Sequence, residues 1–594
     1  MPGQVTADPI TTAVVHNALL TAAKEMRETI QRTSFSPIIY EDRDFACGLL
    51  DADANTLAEA PGLTAFMGTL SPGIKRSLDE RGKDELQPGD IYCTSMPAFT
   101  GSHPADMMLW MPIFHHGRLF GFAASKAHLV DVGAKDPYPT DSTDAFQEGL
   151  RIPPVRLYRA GRLDETLAAV IKSNSRAPEV IWGDIHAQVA CFRSGEQAVL
   201  RLLDKYGFDT VHACVQEIYD HAEHMAREAI RRMPAGTWSA VDYCDDNGID
   251  RGVPVRVGVA VTIDPIAAEV TFDFSDSAEQ QRGPMNAPLI TAISCARMMG
   301  KILTAPESVA CEGSFRPIKV VAPLGSIFNA HDSAPTNLYG WPSMTAVETI
   351  LKALAGDFPD RFPAQSGGDL CGCFRYGFDV QTGDMWVEAN IEGIGQGASA
   401  WADGESAIVH IEEACSRNLP VELEETKNPE IIECYELVPD SGGAGKFRGG
   451  LGVRRAYRLL ADGRMISTLE RCTSPHAGVA GGMPGGRTIG ILDSSIYGQG
   501  TEFMKTPDQP IAEGDLLTIV TGGGGGYGNP FERDIDRVVA DVIEGLVSVE
   551  AARDLYGVAV TSDGVLDRAA TDSIRQTWSI SQSMEMKTEA ERSN

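Results

Sequence analysis

Two apolar stretches, Met108–Phe114 and Leu119–Lys126, are separated by little more than His115-His116-Gly117. Short apolar runs bounded by turn residues predict strands. A connection this brief predicts that they pair as an antiparallel hairpin. No other feature constrains the chain as much. Antiparallel pairing brings the far ends of the two strands together. Ser102-His103-Pro104-Ala105-Asp106 stands just before the first strand, and His128 just after the second. The hairpin therefore gathers two imidazoles and a carboxylate at one end. Such a set can hold Zn²⁺, Mn²⁺ or Fe²⁺ and leave positions open for water or substrate. A lone histidine is more often a packed structural residue than a ligand, and His-x-x-Asp spacings arise by chance. The inference therefore rests on the hairpin. His115 and His116, at its tip, are expected to point apart into solvent.

Upstream, Glu41, Asp42 and Asp44 precede a short apolar strand, Phe45–Leu50. Three acids in four residues usually mark a solvated loop. Asp44, next to the strand, is the best fixed of them and is the one expected to reach the metal, as a ligand or from just behind one.

At 594 residues the chain exceeds a single core. Helical spacing marks 9–32 and 210–233, and strand-like alternation marks 253–263 and 269–274. The expected fold class is α+β and multi-domain, with mixed and antiparallel sheets, flanking helices and a β-rich C-terminal part. The expected divisions are an N-terminal α+β domain with the metal site (1–235), a central α/β region (236–415), a glycine-rich β domain (416–530), and C-terminal helices and tail (531–594). Residues 134–157 are proline-rich and polar, and a loop this long in a compact protein is usually a lid or binding loop. Glu148 and Arg151 are its charged candidates. Asp184 is expected to cap the helix that runs to Tyr206.

Glycine strings dominate the later chain: Asp440-Ser-Gly-Gly-Ala-Gly-Lys-Phe-Arg-Gly-Gly, Gly481-Gly-Met-Pro-Gly-Gly and Thr521-Gly-Gly-Gly-Gly-Gly-Tyr-Gly. Such strings either cradle phosphate through backbone N–H groups or pack backbones closely. Lys446 is followed by Phe447 where a phosphate-binding loop needs a hydroxyl, so no nucleotide motif is present. Close packing is the expected role.

The net charge of −31 lacks the basic footprint of a nucleic-acid binder and disfavours an anionic membrane surface. No apolar run reaches the roughly 18 residues of a membrane span, and the first residues do not resemble a secretory signal. Twelve cysteines in a chain this long are sparse, and a reducing cytoplasm is the expected compartment. Cys371-Gly-Cys373, the one tight pair, is a weak metal signal and is expected to be two buried thiols.

Taken together, these motifs resemble the hydantoinase B/5-oxoprolinase family. Arg43-Asp44-Phe45, Gly101-Ser-His-x-x-Asp106, Ala127-His128, Glu148-Gly-x-x-Ile-Pro-Pro154, Asn174-x-Arg176, Gly183-Asp-Ile-x-Ala-Gln188, Gly283-Pro-Met-Asn-Ala-Pro288 and the strings at 440–450 and 522–530 occur in one order from about residue 8 to 556. One departure is the acidic Glu41-Asp42 before Arg43, where a basic segment is usual; it bears on the charge around the substrate. The family is similar in architecture to caprolactamase and to the large subunits of acetone and acetophenone carboxylases. The resemblance implies a divalent metal, zinc or manganese with iron also compatible, on His103, Asp106 and His128, with Asp44 as a further candidate ligand. It implies ATP bound by a separate hydantoinase-A-like subunit in an (αβ)2 or larger hetero-oligomer, and a small-molecule substrate. The implied reaction is ATP-dependent opening of a cyclic amide such as a hydantoin, 5-oxoproline or a lactam. In that reaction Asp44 or Asp131 accepts a proton, Arg151 or Arg176 holds a phosphate or carboxylate, and Asp131 alternatively orients His128. Two other readings compete: an ATP-dependent ketone carboxylase subunit using the same ligands, which tends to be longer than this chain, and a scaffold without catalysis.

Overall fold

The computed structural model describes residues 8–83, 85–378, 383, 385–474 and 476–577. Part of the tail expected at the end of 531–594 therefore lies outside the described residues. The fold is α+β. Its first sheet has seven strands: β1 (Phe45–Asp51), β2 (Thr56–Glu59), β3 (Ile91–Thr94), β4 (Asp106–His115), β5 (Arg118–His128), β6 (Val155–Arg159) and β7 (Arg162–Leu163). Their order is β2-β1-β5-β4-β3-β6-β7, antiparallel throughout.

β4 and β5 form the hairpin, and the register sets Asp106 opposite His128. The turn residues His116 and Gly117 have φ of 50° and 79°. That left-handed pair matches the twist of a two-residue hairpin. His116 is exposed, but His115 is not simply in solvent. Its Nε2 lies 3.0 Å from Asp204 Oδ1, because the helices flanking Gly207 pack against the tip.

Both faces of this sheet are covered, so β1 is buried along its whole length. One face carries the helices Pro9–Thr33, Pro178–Tyr206 and Phe208–Arg231. Leu19, Met26, Phe192 and Val199 meet Phe45, Leu49, Met107 and Leu109 there. The first helix begins where Asp8 accepts from the N–H groups of Ile10 and Thr11, with Pro9 in its first turn. On the other face Leu70, Ile74 and Leu78 of the helix Thr64–Arg81 pack against Leu50, Met108, Trp110 and Phe122. Asp184 does not cap a helix. The helix starts at Pro178, and Asp184 Oδ1 accepts from the N–H groups of Phe35 and Ser36, which holds the 34–40 turn in place.

A second sheet contains β8 (Gly236–Cys244), β9 (Val255–Asp264), β10 (Glu269–Asp273) and β11 (Ile318–Val321), in the order β11-β10-β9-β8. It packs with the helices Leu289–Thr304 and Gly340–Leu354 around Val257, Val261, Phe272, Met299 and Ile350. The latter helix starts at Gly340, so Gly340-Trp341-Pro342 is its first turn.

The expected division at 415 does not follow the sheets. Cys373–Phe378 and Met385–Glu388 pair into a sheet with Gly463–Ser467 and Thr506–Ile511. The sequence of 376–410 also reads as β-rich; its strands end at Glu388, and residues 389–410 contribute only an isolated bridge between Ile394 and Ile408. A five-stranded sheet of Glu430–Leu437, Val453–Leu459, Leu516–Val520, Ile489–Ser494 and Gly498–Phe503 follows. The short helices Ile535–Ile543 and Val549–Asp554 come after it.

The glycine strings pack backbone on backbone. Gly523, Gly524, Gly525 and Gly526 donate to the carbonyls of Gly486, Gly450, Gln365 and Met483. Gly395, Gly443 and Val479 donate back to Gly522, Gly524 and Gly526. The central chain is thus bonded to four separate segments, which no flat sheet allows. A Cβ on Gly524 would sit 2.0 Å from Gln396 O, and one on Gly450 would sit 1.8 Å from Glu405 O. The N–H groups of Gly523 to Gly526 are taken by protein carbonyls, so these amides are not free to cradle phosphate.

Candidate metal centre

The site lies at the end of the hairpin. Short helix Pro97–Thr100 stops at Gly101, whose φ is 70° and whose Cβ would strike Ile290 at 2.5 Å. That turn delivers His103 to the start of β4. His103 Nε2 lies 2.9 Å from Asp106 Oδ1 and 3.0 Å from His128 Nδ1, and His128 Nδ1 lies 3.0 Å from Asp106 Oδ1. Three donor atoms therefore form a nearly equilateral triangle, and all three residues are buried.

The protonation pattern shows what the triangle fits. His103 Nδ1 donates to Asn337 O at 3.0 Å, so a neutral His103 presents an unprotonated Nε2 to its neighbours. Asp106 Oδ2 is buried with no hydrogen-bond partner. Converging lone pairs and an orphaned carboxylate oxygen suit a divalent cation better than a closed hydrogen-bond network. Bonds of about 2.1 Å at right angles put donor atoms about 3.0 Å apart. Tetrahedral bonds of about 2.0 Å put them about 3.3 Å apart. The spacing of the three donor atoms is compatible with their jointly holding a divalent cation.

β1 lies beside β5, so Asp44, one residue before β1, falls opposite His128. The His128 N–H donates to Asp44 O at 3.1 Å, and Asp44 Oδ2 is 3.7 Å from His128 Nδ1. Asp44 is a fourth acidic group at the rim of the triangle. Burial pushes its carboxyl up to about 6 against the pull of His128. Burial would also raise Asp106, but the two imidazoles more than reverse that and hold it well below the usual carboxylate range. Burial would lower His128, but Asp106 and Asp44 raise it.

The triangle forms the floor of a cavity of about 80 Å³. Aromatic rings enclose it. Tyr138 stacks on Phe374 with centroids 4.4 Å apart and meets His103 edge-on at 5.6 Å, and Tyr339 meets His103 at 5.2 Å. Trp341, Phe66, Leu63, Leu370 and Ile391 add apolar surface, and Glu413 adds a carboxyl that burial holds well above its usual range. Beneath the floor Lys126 is buried. Its Nζ donates to Thr100 O at 3.0 Å and to Ser102 Oγ at 3.3 Å, and it ties down the turn that carries His103.

The structure brings Asp44, His103, Asp106 and His128 together but leaves the other sequence candidates outside. Asp131 Oδ1 accepts from Arg176 Nη2 at 2.5 Å and Nε at 3.1 Å, and its Oδ2 accepts from the Arg176 N–H. Asp131 does not line the cavity and is not placed to accept a substrate proton there, because a guanidinium and backbone donors occupy it. Arg176 is committed to the same pair. Arg151 donates to Asp332 O at 2.6 Å and packs over Phe146, again outside the cavity lining.

Glu148 of the same loop has a structural link to the centre. Its carboxylate accepts from Asn337 N at 2.8 Å, Thr336 N at 2.7 Å and Ser142 Oγ at 2.6 Å. Asn337 then presents its carbonyl to His103. Sequence reasoning missed Asn337, Tyr339, Phe374 and Glu413, which carry no local signal, and had only the lid composition to suggest Tyr138. Glu148→Gln keeps the shape but offers one acceptor oxygen where two are used. It is expected to weaken divalent-metal affinity by about 10–100-fold, the usual cost of losing outer support, while the fold survives. Equilibrium dialysis with Mn²⁺ or Zn²⁺ checks this, and unchanged affinity would remove Glu148 from the account.

The arrangement is a metal-type donor set at the floor of a small cavity, and comparison with known proteins gives its family. The chain belongs to the hydantoinase B/oxoprolinase family, whose profile matches residues 8–530. The beta chain of the caprolactamase of Pseudomonas jessenii is 32% identical to it, over 96% of this chain and 99% of that one. The B component of a putative D-/L-hydantoinase from a Pseudomonas species is 30% identical, over 96% and 98%. The crystal structure of the ATP-dependent caprolactamase from P. jessenii superposes with a TM-score of 0.88 at 30% identity, covering 96% of this chain and 100% of that chain. Among the described residues no helix is long and apolar enough to cross a membrane.

Proposed function

We propose that this chain is the metal-bearing subunit of an ATP-dependent cyclic amide hydrolase. In this reading it works with a hydantoinase-A-like subunit that holds the nucleotide. The observation that carries the proposal is the triangle of His103, Asp106 and His128 donors at the floor of a narrow, apolar, aromatic-walled cavity. The names of relatives that match over nearly their whole length support it.

An unstrained cyclic amide is a poor electrophile, because resonance opposes attack at its carbon. Phosphorylation of the amide oxygen by the partner would supply a leaving group. His103, Asp106 and His128 would hold the cation, with Asp44 as a rim donor; when bound it supplies Lewis acidity toward oxygen. The chain's own groups do the remainder. Asp44 Oδ1 is buried and lacks a hydrogen-bond partner, so it can take up or release a proton at that atom. Tyr138, Tyr339, Trp341 and Phe374 exclude bulk water and hold the faces of a compact ring.

The test is co-expression with the hydantoinase-A-like subunit and an assay of ADP release. Hydantoins, 5-oxoproline, lactams and ketones are supplied, with and without bicarbonate. Stimulation by a cyclic amide without bicarbonate is the expected result. Stimulation by ketones alone, with bicarbonate consumed, would overturn the hydrolase in favour of a carboxylase.

A further inference from the structure

Arg43 stands between Asp42 and Asp44, which both line the metal cavity, yet it faces the other way. Its φ of 63° is left-handed, a conformation that costs a non-glycine residue energy. The outcome is a side chain turned into a separate open hollow of about 470 Å³. Arg27, Arg32 and Arg43 line that hollow with a single carboxylate, Glu28. In a chain of net charge −31 this local excess of guanidinium stands out.

Glu28 cannot balance the cluster. It lies 3.3 Å from Arg27 Nη1 and 3.6 Å from Arg32 Nη2, and is shared between them. Among the described residues Arg43 has no ion-pair partner. The Nε atoms of both Arg27 and Arg43 are buried without an acceptor. Like charges gathered with unsatisfied donors indicate a missing anion. A guanidinium edge offers paired N–H groups at the spacing of two oxygens of phosphate.

We propose that Arg27 and Arg43 form a binding site for a phosphate-type oxyanion, separate from the metal centre and joined to it through the backbone of residues 42–44. Both Nε atoms are buried, so bidentate binding requires each side chain to turn its Nε–H and Nη–H edge to the hollow. An anion seated there would neutralise Arg43 and pin the left-handed link that carries Asp44. This binding stands whether or not the hydrolase reading does.

The probe is inorganic phosphate, titrated calorimetrically into the full chain at constant ionic strength. One phosphate per chain is expected, with sulfate competing and chloride not. Arg27→Gln and Arg43→Gln are each expected to weaken binding at least ~10-fold. The exposed Arg32→Gln is expected to change it less than ~3-fold. His103→Ala separates the two sites. Binding that survives His103→Ala and fails in the arginine variants supports the proposal. Binding lost in His103→Ala and kept in Arg43→Gln places the anion on the metal centre and overturns it, as does absence of saturable binding. Should Arg43→Gln fail to fold, phenylglyoxal labelling of the wild-type chain decides. Protection of Arg43 by phosphate but not chloride supports the site, and equal labelling overturns it.

Discussion

His103→Ala and His128→Ala are each expected to purify without stoichiometric metal and to lose substrate-dependent ATP turnover in the assembled enzyme. The loss should exceed the roughly 10–100-fold that follows damage to outer support, because each variant removes one of three donor atoms. His115→Ala, at the other end of the same hairpin, should keep both metal and turnover. Elemental analysis of the purified chains is the first measurement and activity the second. The pairing matters, because a variant that loses turnover but keeps its metal would make the imidazole a substrate contact and not a ligand. Full metal content in both variants would dismantle the triangle as a metal centre.

A second large effect is expected far from that centre. Gly524→Ala and Gly450→Ala each add one methyl group at positions where it would meet a carbonyl oxygen at 2.0 Å and 1.8 Å. A backbone bonded to several neighbours cannot move aside for one without breaking others. The cost should exceed about 4 kcal/mol, which reaches the exceptional end of single substitutions, and the soluble yield should collapse. Gly356→Ala is the control, since a Cβ there meets nothing within 4 Å and the backbone is not left-handed. Similar thermal midpoints for Gly524→Ala and the control would show that the glycine packing is looser than the distances imply.

How much of this was legible in the sequence differs from one group to the next. His103, Asp106 and His128 were legible because a hairpin is a local object. Turn residues and apolar runs specify it, and strand pairing then determines which ends meet. Asp44 was half legible. Its place beside a strand was visible, but that β1 runs next to β5 is a tertiary fact. Asn337, Tyr339, Phe374 and Glu413 come from more than 200 residues away and are ordinary residues locally. Asp131 and Arg176 were legible as charged candidates, but nothing nearby in the chain reveals that they pair with each other outside the cavity. The glycine strings showed that backbones approach closely, but not which backbones. One sheet draws strands from both sides of the expected division at 415, a long-range pairing that no local signal announces.

The metal-type floor of the cavity is built from the first 130 residues, whereas Leu370, Phe374, Ile391 and Glu413 close over it from the later part of the chain. On the proposed reading, metal binding and selectivity are thus written in different stretches of sequence. Substitutions among the covering residues alone would then change which ring fits, while the donor set underneath stays as it is.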